Sequence, residues 1–383
     1  MTVDYNLVVM GGTDAARWAA ITAARFHARV ALVGKQVGWH GPTDTPAALT
    51  SMGVDVVEAE GHLIENPKLQ VEVQNRVLRA HHYLLALAPS PIPGSFYLDI
   101  NAADAKAYGS PQSLLVIGDG PTALQFSQRL AKQGHDVTLA ARTRLLPREE
   151  PDAAILLQAQ LEADGVCVLT HTPIPADPAF DQVLLGSRSF PTSHIVWAED
   201  SCSVPSPHIQ SLGLAQTPHG LWVDAYLKTS HPRIYACGAM LGGYNLPHIA
   251  RYEARLAVKN ALFFRAHAVD YHPFPWAILT EPALARVGLT TAQAQQQYRQ
   301  TKVLRQPYPT ADATHGQSGF CQLIAGDNDV LVGAHLVGAA AAEMIHFLAH
   351  AVQQQLTVQE IADSDFIDTT VSDIMRQLSL IHI

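Results

Sequence analysis

Two separate stretches of this chain read as strand, glycine turn, helix, strand, and a sequence that writes that unit twice is constrained to a doubly wound α/β architecture. The first is YNLVVMGGTDAARWAAITAARFHARVALV at 5–33, and the second is SLLVIGDGPTALQFSQRLAKQGHDVTLAARTRLL at 113–146. In each, a short apolar run meets glycine and then a segment with helical spacing. The pattern predicts strands over 6–10, 29–33 and 137–141 and helices over 15–26 and 122–133, the second stopped by Gly134. Pro151, favourable in a first helical turn, opens a predicted helix over 152–164. Further strands are expected over 54–59, 69–73 and 83–88, and later over 303–306, 320–325 and 330–337, with helices at 340–355 and 367–378.

The two glycine turns are chemically unequal. A dinucleotide fingerprint needs a tight turn, then a residue small enough for pyrophosphate to touch backbone, then a close helix–strand contact. Gly118-Asp119-Gly120-Pro121-Thr122-Ala123 supplies all three, with Gly118 at the turn, Gly120 at the close approach and Ala123 at the packing contact. Thr122 stands beside them in the first helical turn, whose free N–H groups and partial positive charge suit an anion. The following strand ends in Ala141-Arg142-Thr143-Arg144, and two arginines where an acid would favour NAD suit the 2′-phosphate of NADP(H). In the first unit, Gly11 and Ala16 keep the first and third places, but Thr13 holds the second and Asp14 adds negative charge beside it. The strand that should end in a ribose-binding acid ends in Gly34.

These two units, followed by IYACGAMLGGYNLPHIARYEARLAVKNALF at 234–263, TEPALARVGL and a tail ending ADSDFIDTTVSDIMR, resemble in that order the pyridine nucleotide–disulfide oxidoreductases. Within that family the likeness is greatest to mercuric reductase, with dihydrolipoamide dehydrogenase beside it. The resemblance implies a discontinuous FAD-type domain (1–110 and 226–271), an NAD(P)-type domain (111–225) and an α+β dimerisation domain (272–383). The fold class is therefore α/β, with two Rossmann-like nucleotide-binding domains and a C-terminal α+β domain that forms a homodimer. Mercuric reductase has a similar Ala-Arg after its second strand and prefers NADPH, which supports NADP(H) at Gly118, Gly120, Thr122, Ala123, Arg142 and Arg144.

The same resemblance exposes what is missing. The family's Ala-Thr-Gly appears as Ala86-Leu87-Ala88, and its flavin-contacting Gly-Asp as Gly238-Ala239. With Thr13 and Gly34 these departures converge on one ligand, and FAD bound in the family's manner is not expected. The relatives' dithiol helix, two cysteines four residues apart and then a lysine, has no counterpart in the short stretch from Gly34 to Gly53, and the lysine's glutamate partner is Gln125. The His-Glu pair that serves as general base corresponds to Asp368 and Asp373, and no vicinal cysteine pair follows. Disulfide or mercury reduction by the family's mechanism therefore has no residues to run on. Asp368 is expected to be a solvated helix-start residue.

Cys167, Cys202, Cys237 and Cys321 are scattered, with no CxxC or CxxxxC pair, so reduced thiols in a cytoplasmic protein are expected. MTVDYNLVVM has no basic start and leads directly into the glycine turn, so no secretory signal is expected. A net charge of −9 and the lack of a long apolar run argue against nucleic acid and membrane as partners. His81 and His82 should point to opposite faces of a strand, and His346 and His350, though spaced like metal ligands, are expected to pack against a core. No catalytic and no metal-ligating residue is assigned. Trp39 and His40 are candidates for contacting a small-molecule ligand or protein partner in the old flavin cleft, around which Trp18 is expected to pack. The favoured reading is a flavin-free, dithiol-less pseudoenzyme, an NADP(H)-responsive binding or regulatory dimer. The alternative is an FAD-dependent NADPH oxidoreductase with altered flavin contacts and no protein dithiol.

Overall fold

A computed structural model describes residues 4–35, 45–65, 67–87, 112–175, 181–185, 188–198, 212–243, 246–263, 267–307, 319–367 and 372–380. Trp39, His40, Ala88 and Asp368 lie outside them. The chain forms two compact units, one of residues 1–95 with 200–269 and one of residues 96–199 with 270–383. In chain order the first contributes β1 (Tyr5–Met10), α1 (Asp14–Arg25), β2 (Val30–Val33), α2 (Pro46–Ser51), β3 (Val54–Val57), β4 (Gly61–Glu65), β5 (Leu69–Val73), β6 (Arg76–Leu78) and β7 (Ala80–Leu85). The second contributes β8 (Ser113–Ile117), α3 (Pro121–Lys132), β9 (Asp136–Ala140), α4 (Pro151–Ala163), β10 (Cys167–Leu169), β11 (Asp181–Leu185), β12 (Arg188–Thr192) and β13 (His194–Trp197). The chain then returns to the first unit with β14 (Gln216–Thr217), β15 (Gly220–Leu221), β16 (Ile234–Ala236) and α5 (Pro247–Leu262).

The first unit is built on a parallel sheet ordered β16-β7-β1-β2-β3. Its central strands are apolar over 7–10 and Val30–Val33, where both faces are covered. Leu7, Val9, Val30 and Leu32 face a core shared with α1 and α5, where Ala16, Ala19, Ala20 and Ala23 meet Ala254, Ala257 and Ala261. Small side chains on both helices permit that close approach. Val8, Met10, Ala31 and Val33 face the opposite layer, the antiparallel sheet β4-β5-β6, through Leu63, Leu69, Val71, Val73 and Leu78. Tyr83 locks the two layers, donating its hydroxyl to Leu69 O at 2.8 Å while accepting from Ala80 N at 3.0 Å.

The second unit joins two sheets. One is parallel, ordered β10-β9-β8-β13; the other is antiparallel, ordered β17-β18-β21-β20-β19. The latter comprises β17 (Trp276–Ile278), β18 (Ala283–Gly288), β19 (Lys302–Pro307), β20 (Phe320–Ala325) and β21 (Leu331–Gly338). Helix α6 (Thr291–Gln297) follows β18, and α7 (Ala341–Gln353), α8 (Val358–Ala362) and α9 (Asp373–Leu380) complete the chain. Met344, Ile345, Leu348, Ala349 and Val352 turn one face of α7 into the core of the antiparallel sheet. His346 and His350 occupy its exposed face. The packing role expected for that pair is thus corrected, because the apolar residues between them take the core positions.

A buried ionic cluster lies within this unit. Arg286 Nη1 on β18 donates to both oxygens of Glu149, at 3.0 and 2.9 Å, and its guanidinium lies 5.2 Å from the Trp276 ring centroid. Glu150, at the start of α4, accepts from Thr291 N at 2.5 Å and lies 3.9 Å from His335 Nε2. His335 is fully buried, and its Nε2–H donates to Leu289 O at 3.1 Å. Burial, then the neighbouring Arg286 charge, push the His335 pKa down from 6.5 to about 4, against the opposing pull of Glu150 and the Leu289 carbonyl. Below the unfolded value the unfolded chain binds a proton that the native ring refuses, so stability is complete above pH 6.5 and drains away as pH falls towards 4. The expected loss is about 3 kcal/mol. Urea denaturation of wild type and His335→Gln between these limits checks it: the variant should lose this part of the pH dependence.

Candidate functional site

The two glycine turns fold alike but end differently. At α3, Gly118 has φ 154°, and an added Cβ would meet Ala198 O at 2.4 Å and Ala123 Cβ at 3.0 Å, so only glycine fits there. Ala123 is fully buried, as its packing role requires. Gly120 is the N-cap and has no side chain to close the helix end; Pro121 occupies the first helical position and Thr122 the next. The structure thus brings Gly118, Gly120, Thr122 and Ala123 into one strand–turn–helix cradle whose helix end carries no side-chain cap.

Arg142 and Arg144 follow β9, beside this cradle, and they differ. Arg142 is exposed, with its guanidinium 5.9 Å from the Trp197 ring centroid. Arg144 donates to Pro147 O and Glu149 O, each at 2.9 Å, and to Leu145 O at 3.4 Å, which folds the turn leading to α4. Between them Thr143 Oγ1 donates to Asp119 Oδ2 at 2.6 Å, and Leu146 N donates to Asp119 O at 2.7 Å. From the sequence alone, no role was assigned to Asp119 or to Trp197. A hydrogen-bonding side chain between the two glycines was the available signal.

At α1 the helix end is closed by its own side chain. Thr13 is the N-cap; its hydroxyl accepts from Ala16 N at 3.3 Å and donates to Ala86 O at 2.7 Å. Asp14 follows, held by Arg251 Nε at 2.7 Å and lying 3.7 Å from Arg17. Arg17 is 1% exposed and donates to Gly12 O at 3.3 Å, while Arg251 lies 5.3 Å from the Trp18 ring centroid. A carboxylate in the first turn suits the helix dipole and occupies the place of an external anion. Gly34 packs its Cα against the turn itself: an added Cβ would lie 2.7 Å from Gly11 C and 2.8 Å from Gly11 O. These residues do not fit a pyrophosphate in the fingerprint manner, because a hydroxyl fills the backbone approach and a carboxylate stands beside it.

Other positions of the family pattern make contacts within the described residues. Ala239 begins a short 3₁₀ turn after Gly238, whose N–H donates to the Glu253 carboxylate at 2.6 Å. Gln125 accepts from Leu279 N at 3.0 Å and donates to Pro121 O at 3.2 Å, tying α3 to the segment after β17. Burial, with Glu253 nearby, pushes the Cys237 thiol far above its ordinary value, and burial pushes Cys321 to about 12. Neither is a ready thiolate. Cys167 is exposed. Among the described residues no group of three or more His, Cys, Asp or Glu could hold a metal, and no helix is long and apolar enough to cross a membrane.

The sequence model of the family described as pyridine nucleotide-disulphide oxidoreductase matches residues 5–254, and that of its dimerisation domain matches 274–379. Mercuric reductase of Streptomyces lividans is 29% identical over 81% of this chain and 70% of its own length. Mercuric reductase of Staphylococcus aureus is 28% identical over 82% of this chain and 60% of its own length. Dihydrolipoyl dehydrogenase of Bacillus subtilis is 28% identical over 65% of this chain and 58% of its own length. The match thus spans roughly 60–70% of these relatives. Among solved structures, LpdA of Mycobacterium tuberculosis superposes with a TM-score of 0.82 at 21% identity, covering 98% of this chain and 99% of that one. The Cu(II) complex of the HOCl-induced flavoprotein disulfide reductase RclA of Escherichia coli gives 0.79 at 20% identity, covering 97% and 99%. The paired glycine-turn units and the antiparallel C-terminal sheet therefore have one source: the chain belongs to the pyridine nucleotide-disulphide oxidoreductase family and carries that family's dimerisation domain.

Proposed function

We propose that this chain is a flavin-free, dithiol-less descendant of a mercuric-reductase-like enzyme, acting in the cytoplasm as an NADP(H)-responsive binding or regulatory homodimer. The observation that carries this reading is the contrast between the two helix ends. Gly120 leaves α3 without a side-chain cap, while the Thr13 hydroxyl caps α1 and Asp14 brings its own charge. In this reading Gly118, Gly120, Thr122 and Ala123 cradle the nucleotide, Arg142 meets the 2′-phosphate, and Arg144 shapes the loop that presents Arg142. NADP(H), when bound, would supply hydride chemistry; this chain supplies the anion cradle and the guanidinium. The dimerisation-domain match supports the homodimer.

A second reading, an FAD-dependent NADPH oxidoreductase without a protein dithiol, is favoured by Gly11, which keeps the family's tight contact with Ala86 O. One experiment separates them: the visible spectrum of freshly purified protein, followed by NADPH titration. The expected result is no flavin band, no flavin uptake on incubation with FAD, and saturable NADPH binding. Arg142→Glu should weaken NADPH by about 10–100-fold, the worth of one charge-assisted hydrogen bond lost. Flavin bands that bleach with NADPH would establish the second reading instead. A featureless spectrum without NADPH binding would overturn both.

A further inference from the structure

We infer that Asp119 sets which nicotinamide coenzyme the α3 site takes, opposing Arg142 and holding the site between NAD(H) and NADP(H). This rests on the reading of that cradle as a nucleotide site and adds its selectivity. Asp119 stands between the two glycines of the turn and is half-buried. Two hydrogen bonds fasten it to the loop after β9: its carboxylate accepts from Thr143 Oγ1 at 2.6 Å, and its carbonyl accepts from Leu146 N at 2.7 Å. Thr143 lies between Arg142 and Arg144, so the carboxylate is fixed at the loop position where the fold reads the adenosine ribose.

The charges there do not add up to a simple 2′-phosphate pocket. Arg144 spends its donors on the carbonyls of Leu145, Pro147 and Glu149. Arg142 is the exposed guanidinium of the pair, stacked over Trp197. One guanidinium favours a 2′-phosphate, and one carboxylate a hydrogen bond away from the intervening threonine repels it. A carboxylate that accepts one side-chain hydrogen bond among the described residues still has lone pairs for ribose hydroxyls, which is the contact an acid at the strand end makes in NAD-preferring sites. The fold delivers that acid from the glycine turn instead of from the strand.

The test is fluorescence titration of NADH and NADPH against wild type, Asp119→Asn, Asp119→Ser and Thr143→Val. Wild type should bind both coenzymes within about tenfold of each other, since one attractive and one repulsive charge oppose. Asp119→Asn, which keeps an acceptor and removes the charge, should tighten NADPH by about tenfold and leave NADH within about threefold. Asp119→Ser should tighten NADPH and weaken NADH. Thr143→Val leaves the charge in place and should not tighten NADPH. Because the repulsion is between partly exposed charges, the Asp119→Asn gain should shrink in high salt. Coenzyme preference unchanged within about twofold in both Asp119 variants, with binding retained, would overturn the inference while sparing the nucleotide site. Loss of both coenzymes from wild type as well would overturn the site itself.

Discussion

Arg286→Met is expected to destabilise the second unit by about 3–5 kcal/mol, far more than a surface ion pair would suggest. The reason is the partner left behind. The Glu149 side chain has no exposed surface and receives Arg286 Nη1 on both oxygens, so removing the guanidinium takes a cationic partner from a buried carboxylate. Replacing both residues, as in Glu149→Leu with Arg286→Met, should recover most of the loss, because two uncharged side chains carry no desolvation penalty. Urea denaturation of the two single variants and the double variant closes the cycle. A further readout follows from Arg144, which donates to Glu149 O in the turn behind the arginine loop. If Glu149 shifts to seek water, that turn shifts with it, and NADPH affinity falls in Arg286→Met at temperatures where the protein remains folded. An Arg286→Met protein as stable as wild type would mean that water reaches Glu149 and that the cluster contributes little.

What the sequence made legible was local. Gly118, Gly120 and Ala123 declare themselves because a turn between an apolar strand and a helix is encoded within a few residues, and the parallel sheets follow from that repeat. The antiparallel layer β4-β5-β6 was only partly legible: β5 alternates clearly, whereas β4 is half exposed and β6 has three residues. The closure of α1 was legible as a departure but not as a structure. Thr13 completes its cap on Ala86, 73 positions away, and Asp14 meets Arg251 from 237 positions away. The contacts of Arg144 were hidden for a different reason: its acceptors are backbone carbonyls, which carry no residue-type signal.

Placing an acid at the end of β2 is the change that the dinucleotide fingerprint recommends for a ribose contact, and Gly34→Glu is expected instead to destabilise the first unit by about 2–4 kcal/mol. Gly34 has φ 152°, where a side chain is strained, and its Cβ would press on the backbone of Gly11 and Gly12 with no flexible atom to yield. Overpacking and the backbone conformation act together. The carboxylate would find no ribose to bind, because the neighbouring helix end remains capped by Thr13. Thermal and urea denaturation, with FAD titrated by flavin fluorescence, measure both outcomes. Thr13→Gly is the informative comparison: glycine is an adequate N-cap, so removing the hydroxyl at the start of α1 should cost under about 1 kcal/mol. A Gly34→Glu protein with wild-type stability would show that the turn has room for a side chain at this position. The tight contact argues the opposite. With Gly34 against Gly11 and Gly12, an acid at this position has no place, and the hydroxyl of Thr13 holds Ala16 N in the same turn, so the two departures from the fingerprint belong to one closed turn.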